Sequence, residues 1–346
     1  MTEIAVDLIS DTVTRPTPAM RRAIAEAEVG DEQNREDPTV NRLQEKVAEL
    51  LGTEAALFLP SGTMCNQIAF AIHCRPGDEI LLHELAHPLL YEAGGPAALV
   101  GAIMRPLSGA RGLYTAEQVR QAVRSRVHYM PRTRVLSVEQ TANIVGGVCW
   151  PLAQIQEVCA AGHAAGLACH MDGARLMNAV VASGTPARAF ARPFDSVWLD
   201  LTKGLGAPVG AVLAGSRAFI EEAWVFKQRF GGSMRQAGII AAAGIYALDY
   251  HVDRLAEDHE RARRLARGLA ELPGLAVDAD RVETNIVIFD VRGTGLTGEE
   301  FGRRTGRFGV RFSVLGPTLV RAVFHLDVPA DGVERALSAA RAALRG

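Results

Sequence analysis

Short apolar runs alternate with amphipathic stretches from about residue 40 to residue 245 of the chain. The apolar runs predict strands at 55–59, 79–83, 100–105, 134–139, 166–171, 195–200 and 209–214. Apolar positions at helical spacing predict helices between them, at 39–51, 62–74, 115–125 and 151–165. Such alternation is typical of an α/β fold with a mainly parallel sheet flanked by helices. Ligands of these sheets lie beyond the carboxyl ends of the strands.

The remainder of the chain predicts a second, smaller unit. A long helical stretch spans about 235–271, and its second half is rich in charge, as a solvated helix face is. The pattern then predicts strands near 284–289 and 319–324 and a closing helix at 330–345. We therefore expect a large domain over 1–245, which includes the N-terminal segment, and a small C-terminal α/β domain over 246–346.

Composition excludes several classes of partner. The chain has 346 residues, of which 48% are hydrophobic and 22% charged, and its net charge is −2. A near-neutral protein has no electrostatic reason to bind nucleic acid or an anionic membrane. The longest apolar stretch, Gly238 to Leu248, is too short to span a bilayer, and the N-terminus lacks signal-peptide character. The five cysteines have no metal-ligand spacing, so we expect a cytoplasmic protein without a metal site.

Two segments carry the candidate chemistry. His-Met-Asp-Gly-Ala-Arg at 170–175 and Leu-Thr-Lys-Gly-Leu-Gly at 201–206 each follow a predicted strand. Enzymes that use pyridoxal 5'-phosphate (PLP) need such a pair, since a lysine holds the cofactor as a Schiff base and an acid keeps its pyridine nitrogen protonated. Few charges flank Lys203 in the sequence, and desolvation would favour its neutral, nucleophilic amine. Asp172 alone could be a turn residue and Lys203 a solvated lysine, but together they favour a PLP site.

A phosphate site is predicted where the strand at 55–59 ends. The next residues, Pro60-Ser61-Gly62-Thr63, open a predicted helix. Backbone N–H groups at a helix start, together with hydroxyl groups, bind anions. The same Ser-Gly-Thr sequence is also an ordinary helix N-cap, so its position at a strand end is what favours phosphate.

Two other motifs suggest different chemistry. His83-Glu84-Leu85-Ala86-His87 matches the HExxH pattern of zinc hydrolases, which requires one continuous helix. His83 ends an apolar strand and Pro88 interrupts the helix, so zinc hydrolysis is a remote alternative. Three glycines, at 204, 206 and 210, have the spacing GxGxxxG and precede a strand, unlike the dinucleotide-binding fingerprint.

Several segments resemble the low-specificity L-threonine aldolases, PLP enzymes of fold type I, the aspartate aminotransferase fold. They lie at 7–14, 36–39, 58–64, 85–87, 91–95, 170–175, 203–210 and 231–236. The resemblance runs from residue 7 to about 270. Beyond residue 270 the matching positions are Thr284-Asn285 and Arg321. It implies the PLP-dependent transferase fold of type I for this chain.

The resemblance also implies roles for individual residues. Lys203 would be the catalytic Schiff-base lysine, and Asp172 the partner of the pyridine nitrogen. Arg235 would reach the phosphate, in this family from a neighbouring subunit. The implied cofactor-binding set is Ser61, Gly62, Thr63, His87, Asp172, Arg175, Lys203 and Arg235.

The substrate side is implied in the same way. Ser10, Arg175 and Arg321 would bind the substrate carboxylate, whose geometry suits a guanidinium. His87 would stack on the cofactor ring and His128 would lie near the substrate hydroxyl, which makes both catalytic candidates. Which group removes the hydroxyl proton stays open.

The implied reaction is retro-aldol cleavage of L-β-hydroxy-α-amino acids such as threonine, allo-threonine and phenylserine to glycine and an aldehyde. β-Elimination or amino transfer on the same fold is the alternative, since a fold does not determine a reaction. The expected partner is a small amino-acid substrate. The expected assembly is a homotetramer, a dimer of dimers with active sites at subunit interfaces.

Departures from the family pattern concern the substrate side. Ile9 stands where the family has arginine, and Asn34-Arg35 where it has Tyr-Gly. Gln140 replaces an asparagine, and Phe324 replaces a threonine. The loss of an aromatic residue at Asn34 affects a position expected near a neighbouring active site, so these changes bear on substrate scope.

Overall fold

The structure, a computed structural model, describes residues 3–345 and contains two β-sheets with their covering helices. The strands are β1 (Val6–Leu8), β2 (Ala55–Leu59), β3 (Glu79–His83), β4 (Ile103–Leu107), β5 (Thr133–Glu139), β6 (Ala168–Gly173), β7 (Ser196–Asp200), β8 (Ala211–Gly215), β9 (Ile286–Asp290), β10 (Val310–Val314) and β11 (Leu319–Val323).

The α-helices are α1 (Pro18–Ala25), α2 (Pro38–Leu51), α3 (Gly62–His73), α4 (His87–Leu90), α5 (Ala116–Ala122), α6 (Leu152–Ala164), α7 (Leu176–Ser183), α8 (Ala187–Ala191), α9 (Arg217–Arg229), α10 (Gly238–Tyr250), α11 (Leu255–Ala270), α12 (Gly298–Gly306) and α13 (Gly332–Arg345). Short 3-10 turns connect several of them, and a π-helical turn spans Pro96–Val100.

The larger sheet has seven strands in the order β2-β8-β7-β6-β5-β3-β4. The strands from β7 to β4 are parallel, whereas β8 is antiparallel to both of its neighbours. All residues of β3, β7 and β8 are buried, which explains why these strands are continuous apolar runs in the sequence. The predicted α/β fold with a mainly parallel sheet is confirmed.

The predicted long helix over 235–271 is wrong in one respect, because the chain turns between α10 and α11. His251 ends α10 and donates from Nδ1 to the Leu205 carbonyl at 2.7 Å, which holds the turn inside the protein. From there α10 packs on α1 and α2, whereas α11 packs on α7, α13 and β9. The break is a tertiary effect, since the segment contains no proline and continues the helical pattern. The strand predicted at 100–105 begins at Ile103, after the π-helical turn.

The smaller sheet has the order β1-β10-β11-β9. Its outer strand β1 is parallel to β10, so the N-terminal strand pairs with strands from the C-terminal part of the chain. The strand pattern at 284–289 and 319–324 corresponds to β9 and β11, whereas the sequence did not predict β10. A separate apolar core fills the space between this sheet, α11 and α13. The division of the chain at residue 245 stays a prediction.

None of the helices in residues 3–345 has the length and apolar character needed to cross a membrane.

Candidate functional site

A cavity of about 710 Å³ lies at the carboxyl ends of three parallel strands of the larger sheet. The last or nearly last residues of β5, β6 and β7, which are Glu139, Asp172 and Asp200, line it. The predicted site residues that also line it are Ser10, Ser61, Gly62, Thr63, His87, Arg175, Lys203 and Arg321. The fold therefore brings nearly all of the predicted residues to one place.

Two predicted residues do not line the cavity of their own chain. His128 is exposed in the segment between α5 and β5, where its ring packs edge-on against Tyr129. Arg235 is also exposed, and its guanidinium lies 3.9 Å from Asp31. The sequence predicted that Arg235 acts across a subunit interface, and for both residues a role in the site stays a prediction.

Asp172 is buried, and within residues 3–345 the two donors that its carboxylate accepts from are neutral. Its Oδ2 accepts from Asn66 Nδ2 at 2.9 Å, and its Oδ1 accepts from the Ala174 N–H at 3.0 Å. Burial raises the pKa of Asp172, an effect that the Asn66 hydrogen bond opposes. A cation placed against this carboxylate would therefore be strongly favoured, which suits a protonated pyridine nitrogen.

Lys203 lies beside Asp200, and its Nζ forms an ion pair with that carboxylate. The expectation that Lys203 has a charge-poor environment is thus wrong. The pattern of strands and helices in the sequence did not predict this ion pair, because Asp200 is the last residue of β7 whereas Lys203 lies in the turn that follows it. The ammonium also lies 5.6 Å from the centroid of the Trp198 ring.

The start of α3 offers an anion site. Ser61 is the N-cap, and its Oγ accepts from the Met64 N–H at 3.2 Å, so part of its role is the ordinary capping that the sequence also allowed. The N–H groups of Gly62 and Thr63 lie in the first turn, where a helix supplies no acceptor. At Gly62 a side chain would collide with the indole of Trp198, so the backbone packs directly on this ring.

His87 is held by two glutamates that sequence reasoning missed as site residues. Its Nδ1–H donates to Glu92 Oε1 at 2.9 Å, and its backbone N–H donates to Glu139 Oε2 at 3.1 Å. Burial lowers the pKa of His87, but the Glu92 hydrogen bond and the charges of Asp172, Glu92 and Glu139 outweigh it and raise that pKa above its ordinary value. In the neutral ring the proton stays on Nδ1 toward Glu92, and Nε2 is then the acceptor.

Arg175 is buried and paired with Asp11, another residue that sequence reasoning missed. Its Nε and Nη2 donate to the two oxygens of Asp11, which also accepts from Asn285 Nδ2 at 3.1 Å. Arg321 lies near Arg175; its Nη1 donates to Asn143 Oδ1 at 3.0 Å. Burial and the charge of Arg175 both lower the pKa of Arg321, so two guanidinium groups make this side of the cavity attractive to an anion.

The departures from the family pattern lie mostly away from the cavity. The amide of Gln140 exchanges hydrogen bonds with the backbone of Trp150, and Phe324 is fully buried in the core of the smaller sheet. Arg35 adopts the left-handed φ of 60°, a conformation that suits the family's glycine, and pairs with Glu221. Backbone contacts to site residues come from Ile9, whose carbonyl accepts from Arg321 Nη2 at 3.4 Å, and from Gln140, whose N–H donates to the Asp172 carbonyl at 2.8 Å.

The zinc-binding arrangement of the HExxH motif does not form. His83 lies in β3, where its Nε2–H donates to the Gly109 carbonyl and its Nδ1 accepts from the Leu85 N–H. His87 begins the separate helix α4. The two imidazoles are therefore on different elements, and both ring nitrogens of His83 already have protein partners.

The missed residues had a weak signal in the sequence. Glu139 and Asp200 each close an apolar strand, where a polar residue in a parallel sheet points toward a ligand site. Nothing in the sequence marked Asp11, Glu92 or Asn66 as site residues. Asp11 and Asn66 contact residues far away in the chain, and the separation of Glu92 from His87 matches no known motif.

Known proteins are similar to this chain in sequence and in fold. The sequence matches the beta-eliminating lyase family over residues 7–293. Low-specificity L-threonine aldolase 1 of Arabidopsis thaliana is 38% identical over 96% of this chain and 95% of its own. The low specificity L-threonine aldolase of Escherichia coli K12 is 41% identical over 93% of this chain and 94% of its own. A solved structure of Leishmania major threonine aldolase has a TM-score of 0.82 at 18% identity, covering 98% of this chain and 99% of that one.

Proposed function

The chain belongs to the beta-eliminating lyase family and, within it, to the low-specificity L-threonine aldolases, and we propose that its cavity cleaves L-β-hydroxy-α-amino acids to glycine and an aldehyde. The enzyme is a lyase with the PLP-dependent fold of type I. One observation carries the proposal for the site. The same cavity joins the buried acid Asp172 and Lys203 to an oriented imidazole, His87, and to the free side of Arg321.

The residues present fit PLP. Ser61, Gly62 and Thr63 would hold its phosphate, Asp172 would pair with its ring nitrogen, and Lys203 would bind its aldehyde carbon. Asp172 supports this assignment, since a buried carboxylate with neutral donors needs a cation. When bound, PLP takes up the electron pair of a bond broken at Cα.

The first role of the protein's own side chains is to bind the substrate carboxylate. Arg321 would bind it together with Ser10, and Arg175 would add positive charge from behind. Arg175 is buried and its charge is balanced by Asp11, whereas Arg321 is only half-buried and its donors contact neutral groups, so Arg321 is the better placed of the two for a direct contact. Anchoring the carboxylate restricts rotation about the Cα bonds and thereby selects the Cα–Cβ bond for cleavage.

His87 would then accept the β-hydroxyl proton at Nε2. When the ring is neutral, Glu92 holds its proton on Nδ1, so Nε2 carries the lone pair that a base needs. The imidazolium formed by proton transfer gains from the negative charges of Glu92 and Glu139. His128 would contribute to the site of a neighbouring subunit, since it is distant from the cavity of its own chain.

The proposed assembly is a homotetramer, a dimer of dimers, in a cytoplasmic location. Support comes from exposed apolar side chains that a subunit interface would cover, which are Tyr91 at the cavity and Leu99 and Tyr129 outside it. Light scattering of the purified enzyme during size-exclusion chromatography would measure the mass. A monomeric mass would contradict the role proposed for Arg235 and His128.

The reaction is tested with purified protein and added PLP. We expect glycine and acetaldehyde in equal amounts from L-threonine or L-allo-threonine, and glycine and benzaldehyde from phenylserine. Ammonia with a keto acid would instead identify β-elimination, and a pyridoxamine form of the cofactor would identify amino transfer. Absence of glycine and aldehyde from all three substrates would overturn the proposal.

A further inference from the structure

Asn66 lies one turn into α3 and is completely buried between the two acidic groups of the cavity. Its side chain makes four hydrogen bonds, all to residues outside α3. On one side its Nδ2 donates to Glu92 Oε1 at 2.7 Å and to Asp172 Oδ2 at 2.9 Å. On the other side its Oδ1 accepts from Trp198 Nε1 at 2.7 Å and from His170 Nε2 at 3.0 Å.

The orientation of this amide is determined by its neighbours. An indole N–H can only donate, so the atom 2.7 Å from Trp198 Nε1 must be the amide oxygen. The amide nitrogen then faces the two carboxylates, which can only accept when they are ionised. Asn66 thus uses both hydrogens and both lone pairs.

A directed row of donors continues behind Asn66. Because His170 Nε2 donates to Asn66, its Nδ1 accepts from the Ser196 hydroxyl at 2.8 Å, and Ser196 in turn accepts from His73 Nε2 at 2.9 Å. Burial lowers the pKa of His170 to about 3 and that of His73 to about 4, so both rings are neutral. Every donor of the row points toward the two carboxylates.

The two carboxylates serve different parts of the site, which we call the cofactor half, around Asp172, and the histidine half, around His87. Asp172 faces the proposed position of the cofactor nitrogen, whereas Glu92 accepts from His87 Nδ1 and so determines which nitrogen of that ring is free. We propose that Asn66 is a positioning residue that joins these halves, holding Asp172 for the cofactor and, through Glu92, holding His87 for proton transfer. The part that concerns the reaction rests on the proposed function.

The chemistry of an amide explains the choice of residue. Asparagine gives one hydrogen to each of two carboxylates without adding charge to a buried pair of acids. An apolar residue would leave both carboxylates short of a donor, and an aspartate would add a third negative charge. Either change would disturb the cofactor half and the histidine half together.

Gln67 supplies a matched control on the same helix. Its Nε2 donates to Glu92 Oε2 at 2.6 Å, and it makes no hydrogen bond to Asp172 within residues 3–345. A change at Gln67 should therefore affect the histidine half alone. Comparison of Asn66→Ala with Gln67→Ala separates joint positioning from a general effect of emptying a buried site on α3.

The experiment measures PLP affinity of the apoenzyme, the ¹⁵N chemical shifts of His87 in the apoenzyme at a pH high enough for its ring to be neutral, and kcat/KM for L-threonine. For Asn66→Ala we expect PLP affinity and kcat/KM to fall by about tenfold or more, and His87 to lose its single Nδ1–H tautomer. For Gln67→Ala we expect the tautomer and kcat/KM to change while PLP affinity stays within about twofold of the unmodified enzyme. Unchanged PLP affinity in Asn66→Ala, or equal loss in both variants, would overturn the proposal.

A second variant covers the case in which Asn66→Ala does not fold. Asn66→Asp keeps the size of the side chain and is expected to weaken PLP binding by about tenfold or more, because repulsion favours protonation of Asp172. Trp198→Phe, which removes the donor to Oδ1 together with part of the ring on which Gly62 packs, should shift both readouts in the same direction. An effect of these variants on one readout without the other would contradict joint positioning.

Failure of the proposed function remains distinguishable. PLP affinity and the His87 tautomer are read without turnover, so they decide the role of Asn66 even if the unmodified enzyme cleaves no hydroxyamino acid. If the reaction is confirmed, kcat/KM of the double variant Asn66→Ala with Glu92→Gln gives a further test of the role of Asn66. The combined loss in kcat/KM should be smaller than the product of the separate losses, because both changes act on the same contact.

Discussion

Arg175 and Asp11 form a bidentate ion pair, with Nε to Oδ2 at 2.8 Å and Nη2 to Oδ1 at 2.7 Å, and their side chains are only 3% and 0% exposed. Arg175 follows β6 of the larger sheet, and Asp11 follows β1 of the smaller one. Asn285, which precedes β9, donates to the same carboxylate. Burial raises the pKa of Asp11, but the charge and hydrogen bonds of Arg175 outweigh it and lower that pKa to about 2. The pair therefore connects the two sheets beneath the cavity.

Asp11→Ala is expected to lower the free energy of unfolding by about 3–5 kcal/mol, because it leaves the Arg175 guanidinium buried without its partner. The folded pKa of Asp11 lies below its unfolded value of 3.8, so its contribution is complete at neutral pH and is lost as the pH falls toward 2. Urea unfolding at pH 7 measures the change. Glu260→Ala, which removes an exposed partner of Arg263, should cost at most about 1 kcal/mol. Equal losses in the two variants would contradict this account.

Lys203→Ala is expected to remove cofactor labelling and to lower kcat for threonine cleavage by at least about a thousandfold. Borohydride reduction of the holoenzyme followed by peptide mapping should place the label on Lys203. Lys46→Ala, which changes a half-buried lysine paired with Asp249 outside the cavity, should retain both labelling and activity. A label on the buried Lys227 would show that the cofactor lysine is wrongly assigned.

Glu139→Gln is expected to stabilise the apoenzyme at high pH. Burial, aided by the charge of Asp172, raises the pKa of Glu139 to about 7 from an ordinary value of 4.5. The folded state therefore binds a proton that the unfolded state releases, and stability falls as the pH rises from about 4.5 to 7. Glutamine removes this penalty, so the gain over the unmodified protein should be on the order of 2 kcal/mol at pH 8 and small at pH 5.

Urea unfolding at both pH values measures that difference, with the exposed Glu45→Gln as the control. The glutamine can still accept from the His87 N–H, so the backbone contact is kept. If Glu139→Gln changes stability equally at pH 5 and pH 8, the carboxyl does not titrate as inferred.

Arg321→Ala is expected to raise KM for L-threonine by about 10- to 150-fold, the loss of a charge-assisted pair with the substrate carboxylate. Arg321→Lys should give an intermediate value, because an ammonium keeps the charge but not the fork of donors. PLP affinity should not change in either variant. Arg311→Ala, which alters an exposed pair with Asp7, serves as the control. An unchanged KM in Arg321→Ala would exclude this residue from substrate binding.

Much of the larger sheet could be predicted from the sequence, because strands buried on both faces are apolar runs with sharp ends. The predicted strand at 55–59 and the helix start after it match β2 and α3 closely. The smaller sheet was harder to predict. Its strand β10 alternates buried and exposed residues over only five positions, and β1 pairs with it from the opposite end of the chain.

In the candidate site, too, some residues could be predicted from the sequence and others could not. Asp172, Lys203 and the turn at Ser61–Thr63 were accessible to sequence reasoning, since their residue types and strand-end positions are characteristic by themselves. Their partners were not, because hydrophobic periodicity carries no information about which side chains meet across strands. Asp200 is close in sequence, yet the charge-poor environment predicted for Lys203 overlooked it.

The sequence by itself determined most strands and helices of the larger sheet, the acid and lysine at the strand ends, and the family to which the chain belongs. Only the tertiary structure decided which groups hold those residues in place, such as Glu92 on His87 and Asn66 between two carboxylates. The physical reason is burial. A carboxylate or guanidinium removed from water must find its partner wherever the fold brings one, and that partner can lie anywhere in the chain.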